Sequence, residues 1–127
     1  MNSTAATNIS DPMDKKTVWV VDDDRSIRWV LERALKQADM EVETFENAKK
    51  VLQEISTRMP NAIITDIRMP GIDGLELLNK LNEQAPDLPV IIMTAHSDLD
   101  SAVSAYQGGA FEYLPKPFDV DDAIELV

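Results

Sequence analysis

From Thr17 onward, short runs of apolar residues alternate with stretches whose apolar positions recur at helical spacing. The runs Val18 to Val21, Val42 to Phe45, Ala62 to Thr65, Val90 to Thr94 and Phe111 to Leu114 predict five strands. Two of them, AIIT and VIIMT, are apolar on both alternating faces. Central parallel strands covered by helices on either side need that pattern.

The first helix is the clearest, with Ile27, Val30, Leu31, Ala34, Leu35 and Ala38 forming one continuous stripe. A second carries Val51, Leu52 and Ile55. A third carries Leu75, Leu78 and Leu81 after the turn Pro70-Gly71-Ile72-Asp73-Gly74. A fourth opens at Ser97 with Asp100 three residues on, runs through Leu99, Ala102, Val103 and Tyr106, and stops at Gly108-Gly109. A fifth starts after Pro117 and reaches the last residue at about half the length of the others, as expected of a domain cut from a larger protein.

Five β-α units predict an α/β fold of the flavodoxin-like kind. It is a doubly wound, five-stranded parallel sheet of order 2-1-3-4-5 with helices on both faces and a truncated fifth helix. Right-handed crossovers bring the carboxyl ends of all five strands to one edge, so function is expected there. Residues 1 to 16 hold almost no large apolar side chain and are expected to be a disordered tail or an expression remnant, with the folded domain spanning 17 to 127.

Charge and composition narrow the function. The 23 acidic and 12 basic residues leave a formal charge of -11, which argues against this segment gripping a phosphate backbone. The chain has no cysteine and one histidine, which excludes a disulfide framework, a thiolate zinc site and an all-histidine metal site. The apolar runs are far too short to span a membrane and no signal peptide opens the chain, so a cytoplasmic protein is expected.

The polar residues at the strand ends carry the chemistry. Asp22, Asp23 and Asp24 follow strand one, Asp66 follows strand three, Thr94 ends strand four and Lys116 follows strand five. Strands one and three adjoin at the switch point of the sheet, so the Asp cluster and Asp66 should converge. Carboxylates about 5 Å apart repel by roughly 3 kcal/mol per pair at an effective dielectric of about 20, which calls for a cation. Magnesium suits an all-oxygen site shared between carboxylates, waters and a phosphoryl group. Lys116 would add a point charge, and the Thr94 hydroxyl could donate to a phosphoryl oxygen. Asp66 stands alone on its strand end, which makes it the better nucleophile for an in-line transfer.

Taken singly, these residues have plainer explanations. Asp24 is expected to start the first helix as its cap. His96 reads as a loop residue, and Trp19 and Trp29 are assigned to packing.

VVDDD, TDIRMPGIDG, MTAHSD and YLPKPF resemble the signature regions of two-component response-regulator receiver domains. SIRWVLERAL and LPVIIMTAHSDLD narrow the likeness to the NtrC-type, nitrogen-control branch of that family. The resemblance implies that Asp66 is the phosphoacceptor and that Mg2+ is held by Asp23, Asp66 and the main-chain carbonyl of Arg68, with Asp22 acting mainly through water. It further implies that Thr94 and Lys116 contact the phosphoryl group and that Tyr113 is the switch aromatic. The Lys116-Pro117 bond would be cis, and Leu99, Val103 and Tyr106 on the fourth helix would form the output surface.

The implied partners are a sensor histidine kinase and the parent protein's own ATPase and DNA-binding domains, which drive transcription with an alternative sigma factor. This domain would make no direct contact with nucleic acid or membrane, and a phosphorylation-dependent dimer is an open possibility. Such a domain is not an enzyme in its own right, although it assists its own phosphorylation and dephosphorylation. Two alternatives compete. Asp22-Asp23-Asp24 contains the Asp-x-Asp of haloacid-dehalogenase-type magnesium phosphatases, in which Asp22 would be the nucleophile. A receiver fold that only binds partners is the other.

Overall fold

A computed structural model of the 127-residue chain describes residues 16–69, 71–95, 107, 109–110, 112–116 and 120–126. The order is β1 (Thr17–Val21), α1 (Arg25–Gln37), β2 (Glu41–Phe45), α2 (Ala48–Glu54), β3 (Ala62–Asp66), α3 (Gly74–Gln84), β4 (Val90–Ala95), β5 (Glu112–Lys116) and a C-terminal helix (Val120–Leu126). All four strand pairings are parallel and the sheet order is β2-β1-β3-β4-β5, as the alternation predicts. The predicted fourth helix, with Leu99, Val103 and Tyr106, lies outside the described residues, as do residues 1–15, His96 and Pro117.

The alternation of side chains along each strand divides the core. Trp19, Val21, Ile63 and Ile92 pack beneath α2 and α3, against Val51, Leu77, Leu78 and Leu81. Val18, Val20, Ile64, Ile91 and Met93 pack on the opposite face, against Leu31 and Leu35 of α1 and Ala123 of the C-terminal helix. β3 is buried at all five positions, whereas edge strand β2 is buried only at Phe45. Two covered faces explain why the central strands read as unbroken apolar runs.

The structure corrects three details. Trp29 is 56% exposed and is not a packing residue; the Arg33 guanidinium lies over its ring at 4.8 Å. Its position explains this, since it falls two residues before Leu31 and so points about 200° away from the buried stripe. Val30, placed within the stripe, is 38% exposed at its margin. The fifth strand ends two residues later than predicted, at Lys116. It therefore takes in Pro115, which an edge strand tolerates because one side of its ladder needs no donor.

Local caps fix the helix starts. Asp24 accepts hydrogen bonds from the amides of Ser26 (2.8 Å) and Ile27 (3.4 Å), and Asn47 accepts from Lys50 at 3.0 Å. Asp73 caps α3 by accepting from the Glu76 amide at 2.9 Å.

Candidate acidic site at the switch point

At the carboxyl ends of β1 and β3, Asp22, Asp23 and Asp66 each offer a carboxylate oxygen, and these oxygens lie within 4.8 Å of one another. More than forty residues of chain separate Asp22 from Asp66, and the pairing of Val21 with Thr65 across β1 and β3 brings them together. Asp22 is fully buried, Asp66 is 9% exposed and Asp23 is exposed.

Backbone donors orient two of the three. The Asp24 amide donates to Asp22 Oδ1 at 2.8 Å, and the Ile67 amide donates to Asp66 Oδ1 at 3.0 Å. Such bonds to an ionised acceptor are stronger than neutral ones and fix the plane of each carboxylate. The repulsion within the trio is on the order of 3 kcal/mol per pair at an effective dielectric of about 20, lower where Asp23 meets solvent. Three hard oxygen donors, one of them facing solvent, form a set that fits magnesium, which keeps several waters and takes few carboxylates.

The remaining predicted residues fall around this edge. Asp66 is the last residue of β3 and pairs with Met93 of β4, so Thr94 lies one step further toward the carboxyl edge, and it is 1% exposed. Lys116 closes β5 at the same edge, in register with Ala95, and Tyr113 lies on β5 opposite Ile92. Of these two, only the backbone is described. Arg68 follows directly after Ile67 with its side chain exposed.

Two contributors escaped the sequence reading. Gly74 opens α3 with its amide donating to the Ile67 carbonyl at 2.8 Å. A Cβ there would sit 2.3 Å from the Asp66 carbonyl oxygen and 2.6 Å from the Ile67 Cα, so only glycine lets the helix start this close to the strand end. The turn Pro70-Gly71-Ile72-Asp73-Gly74 was visible as a turn, but which of its glycines faces backbone was not. Arg28, on the inner side of the first turn of α1, donates from Nη1 to the Asp22 carbonyl at 2.7 Å. Nothing in the spacing distinguished it from the other basic residues of α1.

Comparison with known proteins agrees with this fold. The chain belongs to the response regulator receiver domain family, whose model matches residues 18–127. It is a domain of a regulator family, not of a catalytic one, and the phosphatase reading with Asp22 as nucleophile finds no support. The chain is 62% identical over 115 residues to the DNA-binding transcriptional regulator NtrC of Escherichia coli K12, covering 91% of this chain and 24% of that protein. It thus spans about a quarter of the length of the curated relatives it matches. Among solved structures, the apo receiver domain of nitrogen regulatory protein C is 62% identical, with a TM-score of 0.79 over 87% of this chain and 90% of that one. The receiver domain of NtrX from Brucella abortus is 35% identical, with a TM-score of 0.82 over 86% and 92% of the two chains.

Proposed function

We propose that this domain is the phosphoacceptor of an NtrC-type transcriptional response regulator, with Asp66 receiving a phosphoryl group from a sensor histidine kinase. The observation that carries the reading is the convergence of Asp22, Asp23 and Asp66 at the switch point. In the transfer, an Asp66 carboxylate oxygen attacks phosphorus, the bond from phosphorus to the kinase imidazole nitrogen breaks, and its electron pair returns to the ring. The bond from the Ile67 amide to Oδ1 holds the carboxylate in one plane for that attack.

Asp23, Asp66 and the Arg68 carbonyl would hold Mg2+, with Asp22 acting through water. When bound, the ion offsets negative charge on the transferring group. The Thr94 hydroxyl donates to a phosphoryl oxygen and Lys116 contributes a positive charge from β5. The same groups serve hydrolysis when water replaces the kinase, so the domain assists its own dephosphorylation.

The added phosphate brings a charge of about -1.5 to -2 beside Thr94 and biases a bistable segment by new hydrogen bonds. Thr94 and Tyr113 are the switch pair, and Leu99, Val103 and Tyr106 are the surface that reports the switch. The output is an ATPase and a DNA-binding domain of the parent protein, so this acidic segment needs no nucleic-acid contact of its own. No helix among the described residues is long and apolar enough to cross a membrane.

Incubation with acetyl phosphate and Mg2+, followed by intact-mass measurement, tests the reading. The wild type should gain one phosphoryl mass and Asp66→Asn should gain none. A wild type that stays unmodified, or a variant that is modified equally, overturns it.

A further inference from the structure

The turn between β1 and α1 carries two of the three clustered carboxylates, and its conformation decides where they point. Its entry is tied by the Asp22 amide, which donates to the Phe45 carbonyl at 3.1 Å and extends the ladder with β2 by one bond. Its exit is tied by the Asp24 cap on α1. Between them lies the Asp22-Asp23 peptide, and its carbonyl accepts from Arg28 Nη1 at 2.7 Å. The Arg28 amide itself donates to the Asp24 carbonyl at 3.2 Å in the first turn of α1. The side chain therefore reaches back from a fixed helix to fix the peptide that joins the two aspartates.

A further restraint on this turn is the bond from the Asp24 amide to Asp22 Oδ1. It uses an oxygen of one of the clustered carboxylates, so it weakens if that group turns toward a cation. Among the described residues, no side chain bonds the exposed Asp23 carboxylate, whose direction thus follows from the backbone alone.

We infer that Arg28 is a positioning residue for cation binding: its bond to the Asp22 carbonyl holds the Asp22-Asp23 peptide so that both carboxylates face Asp66. The inference rests on the reading of the acidic trio as a Mg2+ site. It has a sign that charge alone would reverse. A guanidinium beside a cation site repels the cation, so replacing it with a neutral group should tighten binding if charge were its contribution. If positioning is its contribution, the same replacement weakens binding, as loss of groups that orient metal ligands does.

The test is a Mg2+ titration of the whole chain, followed by calorimetry and by the backbone amide resonances of residues 22 to 24, for wild type, Arg28→Met and Arg28→Lys. Arg28→Met should bind Mg2+ about tenfold more weakly. Arg28→Lys, which keeps a donor able to reach the carbonyl, should recover most of the loss. Without Mg2+, hydrogen exchange at the Asp24 amide should quicken in Arg28→Met while exchange in β3 and β4 stays unchanged. Should Arg28→Met fail to fold, Arg28→Gln carries the same comparison. Unchanged or tighter binding in the neutral variant, with normal binding by the wild type, overturns the inference alone. A wild type that does not bind Mg2+ removes the site reading and this inference with it.

Discussion

Replacing Gly74 with alanine separates steric contact from backbone conformation as the reason for a glycine at the acidic edge. The added Cβ would lie 2.3 Å from the Asp66 carbonyl oxygen and 2.6 Å from the Ile67 Cα, and both obstacles are backbone that cannot rotate away. Relief to ordinary contact requires α3 or the end of β3 to retreat by about 1 Å, which breaks the 2.8 Å bond from the Gly74 amide to the Ile67 carbonyl. Overpacking of this kind costs roughly 1–3 kcal/mol or more, and the lost hydrogen bond adds about 1 kcal/mol. Alanine's better helix propensity returns about 0.5–1 kcal/mol, leaving a net loss of about 1–3.5 kcal/mol.

Thermal unfolding should show the variant melting on the order of 10 °C below wild type. Gly71→Ala is the control. It sits at φ 76° with open space where a Cβ would go, so it bears only left-handed strain of about 1–2 kcal/mol, partly offset by the stiffer unfolded chain. Gly74→Ala should also slow phosphorylation by roughly 10²-fold, the usual consequence of moving a reacting group by 1 Å. A Gly74→Ala protein as stable as wild type, or more stable than Gly71→Ala, refutes the steric account.

Asp24→Ala should lower stability by about 1 kcal/mol through loss of the α1 cap, read as an earlier urea midpoint with an unchanged slope. Leu78→Ala, at a fully buried position between α3 and the sheet, should cost about 2–5 kcal/mol, whereas Trp29→Ala on the exposed face of α1 should change stability by no more than about 0.5 kcal/mol. A comparable loss at Trp29 would show that the face is not solvent-facing. Asp23→Asn should weaken Mg2+ binding in a calorimetric titration without lowering the melting temperature, because its carboxylate is exposed and relief of repulsion from Asp22 and Asp66 favours the metal-free fold.

Much of this architecture was legible because parallel sheets impose a pattern that survives in one dimension. Ala62 to Thr65 and Val90 to Thr94 read as central strands since both faces must be apolar, and each is buried as expected. Asp22, Asp23 and Asp66 could be grouped because a strand order and a crossover hand place strand ends without coordinates. Trp29, assigned to packing, lies off the buried stripe, as its angle from Leu31 requires. Gly74 and Arg28 were illegible for a different reason. Their contacts are with main-chain atoms of Asp66, Ile67 and Asp22, and no side-chain pattern encodes the approach of one backbone to another. Arg58 differs in kind: its bonds run to the side chains of Glu43 and Glu54, which hold its guanidinium firmly charged, and its place over the Trp19 ring at 5.3 Å depends on the loop after α2.

The central claim is that the three converging carboxylates serve a covalent transfer onto Asp66. Its most direct test is reduction of the acetyl-phosphate-treated protein with tritiated borohydride, which traps an acyl phosphate as the labelled alcohol, followed by peptide mapping. Label confined to Asp66 is the predicted result. Label on Asp22 or Asp23, or none under conditions that trap an established acyl phosphate, contradicts the account.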